Sequence, residues 1–148
     1  MPAGLHYDAA VIRQGAATVF AMIVIAVGCG SGPASPELRA GRGVYADNCS
    51  ACHGNRGQGG VGVALSEVRE TWPSCEDHQD WIALGTEQWK AERGPVYGAD
   101  DTPVTGVMPA HADRLTPEEI AAVAAFERVE YGGGDAPTEL AACGLTGE

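Results

Sequence analysis

Apolar residues recur at helical spacing between Thr116 and three consecutive glycines at residues 132–134. Residues three and four apart share one face of a helix, so this spacing predicts an amphipathic helix. Its apolar face consists of Ile120, Val123, Ala124 and Phe126. Thr116 and Glu119 form a capping-box pattern, Pro117 suits the first helical position, and the glycines suit a helix end.

An earlier helix is predicted at residues 36–47, because Ser35 offers a capping hydroxyl and Pro36 fits the first helical position. Gly41 and Tyr45 lie four residues apart and therefore share one face of this helix. The helix leads directly into residues 49–54, which read CSACHG.

A middle helix is predicted at residues 75–84, with Ser74 as its N-cap and Gly85 as its end. The buried side of this helix is expected to consist of Trp81, Ile82 and Leu84. Trp89 and Tyr97 follow in a polar stretch, and each either lines a cofactor pocket or belongs to the core.

Residues 55–62, between the first two predicted helices, carry four glycines in eight positions. This composition argues against regular structure. The segment is either a plain flexible loop or one whose backbone closely approaches a bulky group.

Twelve uncharged, mostly apolar residues, 16–27, follow Arg13. A helix that spans a membrane needs about 20 apolar residues, so this stretch predicts a signal peptide over residues 1–28. Residues 26–30 resemble the bacterial lipoprotein cleavage box, which implies an acylated Cys29 and membrane attachment. Residues 29–34 then form a flexible tether. The alternative is an ordinary signal peptide that leaves Cys29 as a spare thiol.

The chain is acidic, with 9 Lys and Arg against 20 Asp and Glu and a net charge of −11. This charge excludes nucleic-acid binding, because a phosphate backbone requires clustered basic side chains. It indicates either ordinary solubility or steering toward a partner with a basic docking face.

The segment CSACHG carries the attachment signature of haem c, C-x-x-C-H. On a helical turn Cys49, Cys52 and His53 converge on one edge, where the thiols form thioethers and the imidazole binds iron. The alternatives for this pattern are half of a zinc site and a redox dithiol. Zinc needs a second ligand pair at short spacing, and a redox dithiol accompanies a βαβ pattern; the sequence has neither.

The spacing of Gly41, Tyr45, Cys49, Cys52 and His53 resembles the opening of class I cytochromes c. The resemblance implies an all-α fold over residues 35–134, in which the N- and C-terminal helices cross around one covalently attached haem. A middle helix and long loops complete that fold. It also implies that Val123 and Phe126 meet Gly41 and Tyr45 where the helices cross.

The same family provides an expectation for each side of the haem. The loop after the histidine wraps the His53 side, and a proline carbonyl there accepts the imidazole N–H; Val63 holds that position in this chain. The sixth iron ligand comes from a segment such as Gly106-Val107-Met108-Pro109. A residue before proline is pushed into extended geometry, which suits Met108 as that ligand.

Four further side chains complete the set of candidate site residues. His78 and His111 compete with Met108 as sixth ligand, and each is expected to be an ordinary solvated surface histidine. Cys75 and Cys143 remain after the haem and lipid cysteines are assigned. In an exported domain, oxidising conditions allow them to form a disulfide, which would tie the tail, residues 135–148, to the middle helix.

The resemblance implies an electron carrier and not an enzyme, exported to the periplasm or the outer face of the membrane. Its donor would be a quinol-oxidising complex or dehydrogenase, and its acceptor an oxidase or reductase. The alternatives are a haem c subunit of a dehydrogenase or terminal oxidase complex, and a haem gas sensor.

Overall fold

The computed structural model describes Met1 and residues 35–146. The chain divides into Met1–Gly30 and Ser31–Glu148, and every element below belongs to the second unit. The predicted signal peptide, Cys29 and the tether lie outside the described residues. Among the described residues, no helix is both long and apolar enough to cross a membrane.

The described part of the chain is mainly helical, as predicted. The helices are α1 (Pro36–Asn48), α2 (Ser50–His53), α3 (Val68–Thr71), α4 (Cys75–Glu92), α5 (Pro117–Glu130) and α6 (Ala136–Ala142). Two short strands, β1 (Val96–Tyr97) and β2 (Thr102–Pro103), pair antiparallel between α4 and α5. The predicted caps are present: Ser35 accepts from the Leu38 N–H, and Thr116 forms its capping box with Glu119.

Helices α1 and α5 cross with their backbones in contact at Gly41. A Cβ atom on Gly41 would lie 2.1 Å from the Ala122 carbonyl oxygen and 2.8 Å from the Phe126 Cβ. One turn later, the Tyr45 ring packs on the Phe126 ring, with 5.7 Å between their centroids. The predicted crossing is therefore present, with Ala122 in contact with Gly41. Val123, one position further on, has a side chain that is 0% exposed and belongs to the core.

The core collects apolar side chains from five of the helices and the connections between them. Its larger members are Leu38, Val68, Trp72, Ile82, Trp89, Ile120, Val123, Phe126 and Leu140. Because α5 contributes residues from all sides of its surface, it lies at the centre of the described fold.

Helix α4 is longer than the sequence predicts. Ser74 caps it as expected, and Gly85 interrupts it with φ 62° and ψ −177°. The predicted stop at Gly85 is therefore present, but the sequence did not predict the second helical segment, which follows at once and continues to Glu92. The residues after Gly85 include good helix formers, and Trp89 anchors this second half in the core.

Helix α6 forms within residues 135–148, where the sequence predicts only a tail. Asp135 caps it by accepting from the Thr138 N–H. The buried Glu139 carboxylate binds Arg128 of α5 at 2.5 Å and Arg69 at 2.8 Å. The Sγ atoms of Cys75 and Cys143 are bonded, which joins α4 to the residue after α6.

The helix crossing predicts that Gly41→Ala destabilises the haem-loaded protein. The added methyl group overlaps the α5 backbone, so the free energy of unfolding should fall by about 1–3 kcal/mol in guanidinium denaturation. Gly43→Ala is the matched control on the same helix, since a Cβ there meets nothing within 4 Å. It should raise stability by about 0.5–1 kcal/mol, as expected for alanine in an exposed helix. Equal effects of the two substitutions would contradict the close crossing.

The disulfide predicts that peptides containing Cys75 and Cys143 remain linked in a digest of unreduced protein, as detected by mass spectrometry. The bond spans 68 residues of sequence. Replacing both cysteines with alanine should therefore lower the free energy of unfolding by about 2–4 kcal/mol. Alkylation of both thiols in the unreduced, unfolded protein would show that the bond does not form.

Candidate haem site

The CSACHG segment lies at the junction of α1 and α2. Cys49 separates the two helices, and its carbonyl accepts the N–H groups of Cys52 at 3.1 Å and His53 at 3.0 Å. This single turn carries both cysteines and the histidine. Cys49 is buried and Cys52 is exposed, and neither forms a disulfide.

The environment of Cys49 argues against a redox dithiol. Burial, with a smaller contribution from the negative charge of Glu127, raises the pKa of the Cys49 thiol to about 12. Reactive thiols have a lowered pKa, because the thiolate is the nucleophile. The buried sulfur of Cys49 therefore suits a neutral thioether. Residues 35–146 also contain no group of three or more His, Cys, Asp or Glu side chains that could hold a metal ion.

The imidazole of His53 is held in one tautomer by its neighbour. Its Nδ1 atom lies 2.8 Å from the Val63 carbonyl oxygen. A carbonyl only accepts, so Nδ1 carries the proton and Nε2 keeps the lone pair that binds a metal. The Val63 carbonyl thus makes the hydrogen bond that a proline carbonyl makes in the resembled family.

The glycine-rich loop packs its backbone against the His53 ring. A Cβ on Gly62 would lie 2.9 Å from Cε1 of His53 and 3.0 Å from its Nδ1. The Gly62 N–H donates to the Cys52 carbonyl at 3.0 Å, and the Gly59 N–H donates to the His53 carbonyl at 2.8 Å. The loop therefore approaches a bulky group closely, and that group includes the imidazole itself.

Met108 is half-buried and packs against the core. Its backbone is tied to α4, because the Thr86 N–H donates to the Met108 carbonyl at 2.9 Å. The loop that carries Met108 is therefore fixed to α4 through its backbone.

The expectation that His78 and His111 are surface residues is wrong, since each is only 2% exposed. The His78 Nε2 atom pairs with a carboxylate oxygen of Glu127 at 3.1 Å. Arg114 donates to Nδ1 of His111 at 3.2 Å. Burial, and then the Arg114 charge, lower the pKa of His111.

The sequence carries a signal for the burial of His78. The buried residues of α4 follow helical spacing from the first residue of the helix: Cys75, His78, Ile82, Thr86 and Trp89. A buried helix face that starts at Cys75, and not at Trp81, includes both His78 and Thr86. Trp81 and Leu84, which were expected on the buried side, are only partly buried.

The aromatic residues around α4 form a cluster of their own. Trp81 stacks on Tyr97 with 4.7 Å between ring centroids, and Trp72 lies 5.7 Å from the same ring. The indole N–H of Trp89 donates to the Val96 carbonyl at 2.8 Å. These contacts favour a core role over a pocket lining for Trp89.

These residues fit a covalently attached haem. The segment carries two thiols that form no disulfide, and an imidazole whose Nε2 atom keeps its lone pair. Gly62 has no side chain and therefore leaves room for the imidazole ring.

Comparison with known proteins gives the same result. Residues 38–126, more than half of the chain, match the family Cytochrome c, from the first turn of α1 to Phe126 in the second half of α5. The chain is also 29% identical over 96 residues to Cytochrome c-L of Methylorubrum extorquens, an alignment that covers 65% of this chain and 41% of that protein. The chain thus spans less than half the length of this relative. It belongs to the cytochrome c family, whose members bind haem c covalently and use it for electron transfer.

Proposed function

We propose that this protein is a monohaem electron carrier in which Cys49 and Cys52 attach the haem and His53 and Met108 bind its iron. The observation that carries the proposal is the hydrogen bond from His53 Nδ1 to the Val63 carbonyl, beside the two thiols. It fixes the tautomer in which Nε2 is the iron ligand. The bound haem supplies a one-electron couple between ferric and ferrous iron.

The protein's own contribution is to hold the His53 side rigid. Val63 orients the imidazole and makes it more basic, and the Gly62 backbone restricts the plane of the ring. The Tyr45 hydroxyl donates to the Gly54 carbonyl at 2.6 Å, which fixes the residue directly after His53 to α1. A site that changes little between redox states exchanges electrons with little rearrangement.

Ligation by Met108 distinguishes a carrier from a catalyst or a gas sensor. Two protein ligands leave no iron position free for a substrate or for a gas such as carbon monoxide. The loop that holds Met108 is bonded to α4, so the ligand is supplied from a fixed segment.

Partners are proposed from charge and from exposed apolar side chains. The net charge of −11 favours a redox partner with a basic docking face, such as a quinol-oxidising complex or dehydrogenase on one side and an oxidase or reductase on the other. Val61, Val63 and Val107 are 91%, 62% and 86% exposed on the loops next to His53 and Met108. Such side chains suit contact with a partner close to the haem.

A haem c subunit of a dehydrogenase or oxidase complex is the second candidate, and the same exposed valines favour it. A permanent subunit co-purifies with its partner chains, whereas a carrier is recovered alone. Purification of the native protein under mild conditions separates these two functions.

The proposed location is outside the cytoplasm, at the membrane surface. The apolar stretch at residues 16–27 supports export, and the residues around Cys29 support a lipid anchor. The disulfide between Cys75 and Cys143 also supports export, because such bonds persist in oxidising compartments.

Met108→Ala tests the ligand set. The variant should keep its haem, lose the long-wavelength absorption band of the sulfur–iron bond, bind carbon monoxide when reduced, and show a lower reduction potential. Val107→Ala, its exposed neighbour, is the control and should retain the spectrum and potential of the unmodified protein. An unchanged band in Met108→Ala, or carbon monoxide binding by the unmodified protein, would exclude the proposed ligand.

Gly62→Ala tests the support of His53. The methyl group would lie 2.9 Å from the ring and push the imidazole away from the Val63 carbonyl. A weaker hydrogen bond makes His53 a poorer electron donor to iron, so the reduction potential should rise while the haem stays attached. Val61→Ala, on the same loop but exposed, should leave the potential unchanged. Equal potentials for the two variants would argue against a positioning role for the loop.

A further inference from the structure

The interruption of α4 leaves backbone groups without their usual helical partners. In an unbroken helix the Thr86 N–H donates to the carbonyl of Ile82, four residues earlier. Gly85 departs from helical angles, with φ 62° and ψ −177°. The carbonyls of Ile82 and Ala83 and the N–H of Thr86 therefore need other partners.

The loop that carries Met108 supplies those partners. The His111 N–H donates to the carbonyls of Ile82 at 3.3 Å and Ala83 at 3.0 Å, and the Ala112 N–H donates to Ala83 at 3.2 Å. In the opposite direction, the Thr86 N–H donates to the Met108 carbonyl at 2.9 Å. The break in the helix is thus the attachment point of the loop.

The Thr86 side chain adds a second bond to the same residue. Its hydroxyl oxygen accepts the Met108 N–H at 3.2 Å and lies 3.4 Å from the Met108 carbonyl oxygen. Thr86 is 3% exposed, so water does not compete for these groups. Both backbone polar groups of Met108 are therefore engaged by one residue.

Gly85 makes this approach possible. A Cβ at Gly85 would lie 2.5 Å from the Ala110 nitrogen and 2.6 Å from the Met108 carbonyl oxygen. Only a residue without a side chain admits the loop so close, and its positive φ directs the following N–H of Thr86 at the loop.

We propose that Thr86 is a positioning residue for the sixth iron ligand: its amide and hydroxyl hold the Met108 backbone where the thioether reaches the iron. The inference rests on the proposed ligation by Met108. A thioether is a neutral, weakly basic ligand, so its occupancy depends on how firmly the protein holds it. Loss of the hydroxyl leaves the Met108 N–H without its acceptor and loosens the ligand.

Displacement of Met108 by added imidazole, measured on the haem-loaded full chain in its ferric form, tests this role. Thr86→Val removes the hydroxyl at similar volume, and should bind imidazole about tenfold more tightly, the change expected for one buried hydrogen bond. Thr86→Ser keeps the hydroxyl and should stay within about twofold of the unmodified protein. The sulfur–iron band should weaken in the valine variant and persist in the serine variant.

A purely structural role gives a different result. Thr86→Val would then lower the midpoint of chemical denaturation and leave imidazole affinity unchanged, which overturns the proposal. Thr86→Ala serves as a second hydroxyl-free variant in case valine does not fold, and an unchanged affinity in it overturns the proposal equally.

Met108→Ala in the same titration distinguishes a failure of the proposed ligation by Met108 from a failure of the proposed role of Thr86. If its imidazole affinity does not rise, Met108 is not the ligand and the proposed function fails with it. If its affinity rises while that of Thr86→Val and Thr86→Ala does not, the ligand stands and only the role of Thr86 is wrong.

Discussion

The direct contact between the backbones of α1 and α5 at Gly41 is the constraint on which the rest depends. It brings Tyr45 onto Phe126 and places the end of α1, with Cys49, beside α5 and the Glu127 charge. The CSACHG segment follows α1 directly, so α1 sets the orientation of that segment. A haem site built on this turn is therefore only as rigid as the crossing beneath it.

Backbone groups, more than side chains, hold both candidate iron ligands. The Val63 carbonyl and the Gly62 backbone restrain His53, and the interrupted turn of α4 restrains the backbone of Met108. Glycine occurs at each close approach because a Cβ there would overlap the opposing chain. The glycine-rich composition of this protein thus serves contact between chain segments as well as flexibility.

Helix α5 also connects the haem side of the domain to α6. Arg128, within α5, donates to the Trp72 carbonyl at 2.6 Å and binds the buried carboxylate of Glu139. This ionic contact and the bond between Cys75 and Cys143 fix the end of the chain to the core. A buried pair of this kind is destabilising when broken, because one charge is left without its partner.

The sequence by itself determined the features that depend on neighbours along the chain. Two of the predicted helices were confirmed at nearly their predicted bounds, and a third, α4, was confirmed at its Ser74 cap and at its interruption by Gly85, because caps and helical spacing act within a few residues. CSACHG identified the haem for the same reason. Only the tertiary structure decided the burial of His111, the pairing of His78 with Glu127, and the bonds from Thr86 to Met108. Each of these depends on groups many residues distant in sequence, such as Glu127 for His78 and a loop 22 residues away for Thr86. Local pattern contains no information about such partners, since packing alone brings them within hydrogen-bonding distance.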